Sequence, residues 1–234
     1  NIKATKKILE SKKVKSIFVP PGPGDESLCI GAAYCFIANE KKINKVSSLI
    51  PPYTGTFYSN ENLKFIYREK RLRMRVSSPK EVANLLYKGF PVAIFSLSKS
   101  EFGPRALGNR SIIARPDKAM ILHTINRFVK VRDFWMPFAP SIVSERFNKY
   151  IVNKKNVDPI FMTHSFDTTK LGKKHLVAAS HPFDRTARPQ KVYKKLNIEY
   201  YNIIKEFEKV SGIGAVLNTS FNLHGEPIVE TPKD

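Results

Sequence analysis

Along this chain the spacing of apolar positions switches between a helical period and short continuous runs, and the switch points mark its elements. Residues 2–12 set Ile2, Ile8 and Leu9 among lysines, which predicts a helix with a narrow apolar stripe. Ser16-Ile17-Phe18-Val19 predicts a short strand, Pro20-Pro21-Gly22-Pro23-Gly24-Asp25 a turn, and residues 28–38 a strongly apolar helix. Turn formers without a clear period fill residues 39–62, and 39–77 is expected to be a linker. A new unit starts near Ser78. There Ser78-Pro79-Lys80-Glu81 joins a capping serine, a proline at the first helical position and a glutamate three residues after the cap, and Gly89 stops the helix. Val92-Ala93-Ile94-Phe95, residues 111–114, the apolar stretch 138–143 and residues 175–180 predict strands. Residues 118–129 and 197–210 predict helices, the second opened by Asn197 and closed by Gly212, and Ser144 is expected to cap a short helix ending at Tyr150. Ala215-Val216-Leu217 is a last strand. Strands alternate with helices, so the expected class is α/β or α+β.

A chain of 234 residues with 42% hydrophobic content can bury a substantial core. No run of about 18 apolar residues predicts a membrane span, and the lysine-rich start has no apolar core of a signal peptide. Cys29 and Cys35 lie six residues apart, a poor metal or disulfide spacing, so they are expected to be small buried hydrophobes in a reducing cytoplasm. The start at Asn1 and the finish at Thr231-Pro232-Lys233-Asp234 read as a piece of a longer protein. The formal charge of +20 changes the picture most. It predicts anionic partners: nucleotides, phosphorylated small molecules or nucleic acid.

Candidate chemistry concentrates directly after the strand at 92–95, in Glu101-Phe102-Gly103-Pro104-Arg105-Ala106-Leu107-Gly108-Asn109-Arg110-Ser111. Glycines allow close backbone approach to a ligand, and two guanidiniums offer forked donors suited to phosphate or carboxylate. A plain turn with solvated arginines is the competing reading of these residues taken alone. Further on, Lys130-Val131-Arg132-Asp133 precedes Pro137-Phe138-Ala139-Pro140. If extended, it would aim Lys130 and Arg132 from one face. His181-Pro182-Phe183-Asp184-Arg185-Thr186-Ala187-Arg188 offers an imidazole, a hydroxyl and another guanidinium. Asn218-Thr219-Ser220-Phe221-Asn222 places short amides and hydroxyls at a strand end, where they either contact a ligand or cap a turn.

The run 101–111 resembles the core motif of the O-carbamoyltransferases of the nodulation-factor and antibiotic-tailoring type, and the three blocks just named resemble further blocks of that family. The resemblance covers residues 1–35 and about 78–234. It implies that residues 1–38 are the end of an actin-like ATPase domain, and that 78–234 form most of a YrdC-like domain, a twisted mixed sheet with flanking helices. It also implies an ATP-dependent O-carbamoyltransferase. Carbamoyl phosphate and ATP, with Mg²⁺, would give carbamoyl adenylate, and the carbamoyl group would then pass to a hydroxyl of a sugar or other small acceptor. Lys130, Arg132 and Arg105 would be catalytic. Asn109, Arg110, Ser111, Thr186, Arg188, Asn218, Ser220 and Asn222 would bind nucleotide and carbamate. Asp25 would be one ligand of Fe²⁺ or another divalent ion in the actin-like domain, its partners lying in an N-terminal domain outside this chain. This piece alone would bind ATP, or at most make the adenylate, and transfer poorly. Four residues depart from the pattern that the resemblance implies: Ser98-Lys99 stands for Gly-Arg, Met136 for an arginine, and Arg185 for a glycine. Basic runs with interleaved aromatics (Lys64, Phe65, Tyr67, Arg68, Lys70, Arg71, Arg73, Arg75; Lys170, Lys173, Lys174, Phe183, Arg185, Arg188, Lys191, Tyr193, Lys194, Lys195) keep an alternative open, a non-catalytic RNA-binding module.

Overall fold

The computed structural model describes residues 1–42, 51–70 and 77–234 and forms a five-stranded mixed sheet flanked by helices. The strands are β1 (Val92–Phe95), β2 (Arg110–Ala114), β3 (Ala139–Val143), β4 (Gln190–Val192) and β5 (Ala215–Ser220), in spatial order β1-β2-β5-β3-β4. Only β3 and β4 run parallel. The last strand therefore lies in the centre, with Asn218 opposite Ile113 of β2 and Ala139 of β3. Both β2 and β3 are buried along their whole length, because helices and loops cover both faces of the sheet. This is why they appear in the sequence as unbroken runs rather than alternating patterns.

The described helices are α1 (Ile2–Glu10), α2 (Leu28–Lys41), α3 (Asn60–Glu69), α4 (Pro79–Lys88), α5 (Ala119–Phe128), α6 (Phe147–Tyr150), α7 (Lys170–His175) and α8 (Ile198–Ser211). In α4 the Ser78 hydroxyl accepts from the Glu81 amide and the Glu81 carboxylate accepts from the Ser78 amide, a reciprocal cap that contributes on the order of 1 kcal/mol. Gly89 (φ 98) and Gly212 (φ 75) close α4 and α8 in the left-handed region. Side chains of α4 and α8, among them Leu86, Tyr200, Ile204 and Phe207, join Ile113 and Val216 in the main core. The neighbouring Ala114 and Leu217 point the other way and pack with Ile121, Leu122 and Ile125 of α5.

Several expectations are corrected. Residues 16–19 are extended but pair with no strand among the described residues. Residues 175–180 are helical: α7 ends at His175 and a 3₁₀ turn covers Val177–Ala179, whose alanines pack beneath α5. Lys130 and Arg132 lie in a loop after α5, with Val131 between them at φ 40, so they do not share a strand face. Ser144 opens a 3₁₀ turn and bonds Glu145 instead of capping a helix. Cys29 and Cys35 are exposed, as are Leu28 and Phe36, because none of the described residues covers that side of α2. The expected linker is partly structured. Residues 52–58 bond to 97–102 through Gly55 N to Ser100 O, Tyr58 N to Leu97 O and Phe102 N to Pro52 O, and α3 follows. Residues 43–50 and 71–76, with Arg71, Arg73 and Arg75, lie outside the described residues.

The first twenty residues pack on the sheet-bearing unit. Leu9 enters the main core with Ile17 beside it. Lys3 bonds Asp184 and Thr186, Lys6 pairs with Asp167 at 2.7 Å, and Lys155 donates to the carbonyls of Ser11 and Val14.

Candidate functional site

The loop between β1 and β2 is wound around one carboxylate. Glu101 Oε1 accepts from the amides of Leu107 (2.6 Å), Asn109 (2.7 Å) and Arg110 (3.2 Å), satisfying three donors that no strand or helix serves. Two glycines make the winding possible. Gly103 has φ 99, and a Cβ there would lie 2.5 Å from the Pro21 carbonyl oxygen. Gly108 has φ 119, and its Cβ would meet the Tyr200 ring at 2.4 Å. Arg105 stands between Gly103 and the amides that Glu101 holds.

Arg105, Arg132 and Arg188 converge from three distant segments on a cavity of about 110 Å³, with Asn218, Thr219 and Ser220 of β5 forming another wall. No Asp or Glu lines it. Burial, and then the charges of Arg105 and Arg132, push the Arg188 guanidinium down to about 10. Burial also lowers Arg105 and Arg132. Three cations facing one another without a counter-charge make a cavity that attracts an anion with several oxygens.

Arg132 is oriented by Asn126, whose Oδ1 accepts from its Nε at 2.7 Å, and its guanidinium lies 4.5 Å over the Phe138 ring. Asn126 also donates to the carbonyls of Phe134 and Met136, which shapes the loop. One terminal nitrogen of Arg132 is buried without a partner, and so is Asn218 Oδ1. The other edge of Asn218 is engaged, Nδ2 donating to Ala106 O at 3.1 Å and to Ser141 Oγ at 3.0 Å. Unpaired buried polar atoms of both kinds in one cavity are what a ligand would complete.

Beside the cavity, Lys130 Nζ donates to Ser220 O (2.6 Å), Asn222 O (3.0 Å) and Asn222 Oδ1 (2.6 Å), with Ser220 Oγ at 3.2 Å. Four oxygens around one amine call for the ammonium form, while burial, and then Arg132, lower it to about 8. Lys130 thus ties the end of β5 into place. The remaining predicted residues stand elsewhere. Arg110 is fully buried, donates to Ser96 O, Asn109 O and Glu230 O, and lies 3.8 Å over the Phe95 ring. Asn109 bonds Lys99 O and Asn197, and Ser111 Oγ accepts from the Gly108 amide. Thr186 bonds Asp184 and Lys3. Asp25 is exposed on a 3₁₀ turn, and no group of three His, Cys, Asp or Glu able to hold a metal exists among the described residues. The sequence reading missed Glu101 as the organiser of the loop, although it opens the motif. It also missed Met162, which lines the cavity at φ 56 and carries no sequence signal for that conformation.

Residues 83–234 match a family model described as carbamoyltransferase C-terminus. An uncharacterised protein of Methanocaldococcus jannaschii is 35% identical over 235 residues, covering 97% of this chain and 38% of its own length. Nodulation protein NolO of Bradyrhizobium diazoefficiens is 31% identical over 233 residues, covering 97% of this chain and 42% of its own. Nodulation protein U of Sinorhizobium fredii is 31% identical over 226 residues, covering 96% and 38%. This chain therefore spans less than half the length of these relatives. Among solved structures, full-length HypF in its phosphate- and nucleotide-bound form aligns with a TM-score of 0.46 and 19% identity, over 73% of this chain and 24% of its own, a likeness too low to bear on function.

Proposed function

Because this chain belongs to the carbamoyltransferase C-terminal family, we propose that its arginine-lined cavity gathers the phosphorylated substrates of an ATP-dependent O-carbamoylation. Carbamoyl phosphate, losing its phosphate to one water, supplies carbamate. A carbamate oxygen then attacks the α-phosphorus of ATP, the bond to the β-phosphate oxygen breaks, and carbamoyl adenylate and diphosphate result. Carbamate alone has a poor leaving group, and adenylation supplies a good one. An acceptor hydroxyl of a sugar or similar small molecule then takes the carbamoyl group and releases AMP.

The observation that carries this reading is the convergence of Arg105, Arg132 and Arg188 on one cavity with no carboxylate in its wall. Their charges offset the negative charge gathered when two phosphorylated molecules meet, and their preset geometry avoids reorganisation during reaction. Ser220 and Asn218 orient the bound groups, and Lys130 acts through Ser220 and Asn222 as a positioning residue. Mg²⁺ would accompany the nucleotide, but the described residues offer it no group of three ligands. Asp25 by itself does not fit an Fe²⁺ centre, whose other ligands would come from a further domain. For the RNA-binding alternative, Tyr193 has Lys191 and Lys195 against its ring and donates to Asp158, whereas Phe183 of the same run is exposed; it draws less support than the carboxylate-free arginine cavity.

Diphosphate release from ATP, measured with and without carbamoyl phosphate, tests the proposal. Release that requires carbamoyl phosphate is the expected result. Absence of both release and ATP binding would sink it.

A further inference from the structure

Resting on that reading, we infer that Asn218 Oδ1 recognises the amino group of the carbamoyl substrate and so distinguishes it from other acyl phosphates. A relay of hydrogen bonds beside the cavity has its direction forced at both ends. The Leu107 carbonyl can only accept, so the Gln190 atom 2.8 Å from it is Nε2 and the other is Oε1. Gln190 Oε1 accepts the Ser141 hydroxyl proton at 2.7 Å, which leaves Ser141 Oγ to accept in turn. The Ala106 carbonyl at the far end also only accepts, so the Asn218 atom 3.1 Å from it is Nδ2. That nitrogen donates to Ala106 O and Ser141 Oγ, with Gln190 Oε1 a longer third acceptor at 3.4 Å. Flipping the amide would set oxygen against the Ala106 carbonyl, so Asn218 Oδ1 is fixed on the opposite edge.

Asn218 is 2% exposed, it lines the arginine cavity, and its Oδ1 has no partner. Everything charged in that wall is a donor: Arg105, Arg132 and Arg188. A fully ionised phosphoryl group only accepts, so it satisfies the arginines and offers Asn218 Oδ1 no donor. The group that completes both sets carries an N–H₂ beside acceptor oxygens, and carbamoyl phosphate has that pattern. Acetyl phosphate has the same shape with a methyl in place of the amine, and burying that methyl against a fixed acceptor leaves the acceptor unsatisfied. Asn218 is thus a specificity-determining residue.

The test compares equilibrium binding of carbamoyl phosphate, acetyl phosphate and inorganic phosphate to this chain and to Asn218→Leu, with circular dichroism to check folding. The wild type should prefer carbamoyl over acetyl phosphate by roughly tenfold or more. The variant should lose that preference, its affinity for carbamoyl phosphate falling to that for acetyl phosphate. Equal binding of the two acyl phosphates by the wild type would overturn the inference and leave the anion cavity standing. So would a preference that survives in the variant. If the variant does not fold, the wild-type comparison still decides. Failure of all three ligands to bind would instead remove the proposed function, and this inference with it.

Discussion

Replacing Arg188 with methionine should make the protein more stable in dilute buffer and remove its response to phosphate-bearing ligands. Burial and the neighbouring guanidiniums hold Arg188 down at about 10, well below an ordinary guanidinium. A guanidinium keeps its proton at neutral pH, so the folded state carries the cost of that charge in full below pH 10, and the cost fades only as pH rises from there. The difference corresponds to a ceiling of roughly 3 kcal/mol. Lost contacts of the arginine stem and partial solvation of the cavity reduce the expected gain to about 1–2 kcal/mol. For a chain of this length that raises Tm by about 2–8 °C. Thermal unfolding followed by circular dichroism, with and without triphosphate at matched ionic strength, separates the two effects. Triphosphate should raise the Tm of the wild type by linkage and leave that of Arg188→Met nearly unchanged. A variant that melts lower than the wild type without ligand, or that gains as much from triphosphate, would refute the reasoning.

Glu101→Ala removes the acceptor of three loop amides and should cost about 2–3 kcal/mol, with faster hydrogen exchange at Leu107, Asn109 and Arg110; unchanged exchange there would count against the carboxylate as organiser. Triphosphate affinity should fall as pH rises through about 8, because the Lys130 ammonium then loses the charge that ties it to Ser220 and Asn222. Lys130→Arg should flatten that profile, and a pH-independent wild type would dismiss the role. Arg185 sits at φ 56, in the left-handed region that glycine adopts without strain, so Arg185→Gly should raise stability by up to about 1 kcal/mol in urea unfolding; a loss would show that the side chain matters more than the backbone strain.

The elements most legible in the sequence were those fixed by local chemistry. The reciprocal cap at Ser78 and Glu81, the glycine stops at Gly89 and Gly212, and the strands at Val92–Phe95, Ala139–Val143 and Ala215–Ser220 stand where their residues put them. Residues 175–180 failed because the four-residue apolar run Leu176-Val177-Ala178-Ala179 fits strand or helix equally, and only packing beneath α5 decides it. Lys130 and Arg132 were expected on one strand face, but a left-handed valine between them has no signature in composition. Of the site, Arg105, Arg132, Arg188, Asn218 and Ser220 do meet. Arg110, Asn109 and Ser111 belong to the same motif yet serve the fold, since their partners (Ser96, Glu230, Asn197, Gly108) are set by tertiary position. Cys29 and Cys35 were expected inside because apolar helices usually find a cover, which none of the described residues provides here.

The contact of Gly103 with the Pro21 carbonyl has a bearing on how such proteins can be recombined. No side chain buffers this junction, because even a methyl group on Gly103 would collide with main chain. The proline-glycine turn and the loop bearing Arg105 are mated surfaces of bare peptide, and each is the other's mould. A chimera of two relatives joined near residue 78 would bring together a turn and a loop shaped in different parents. A crossover that keeps both from one parent preserves the fit. Substitutions in the turn should therefore be inherited together with substitutions in the loop, even though eighty residues separate them.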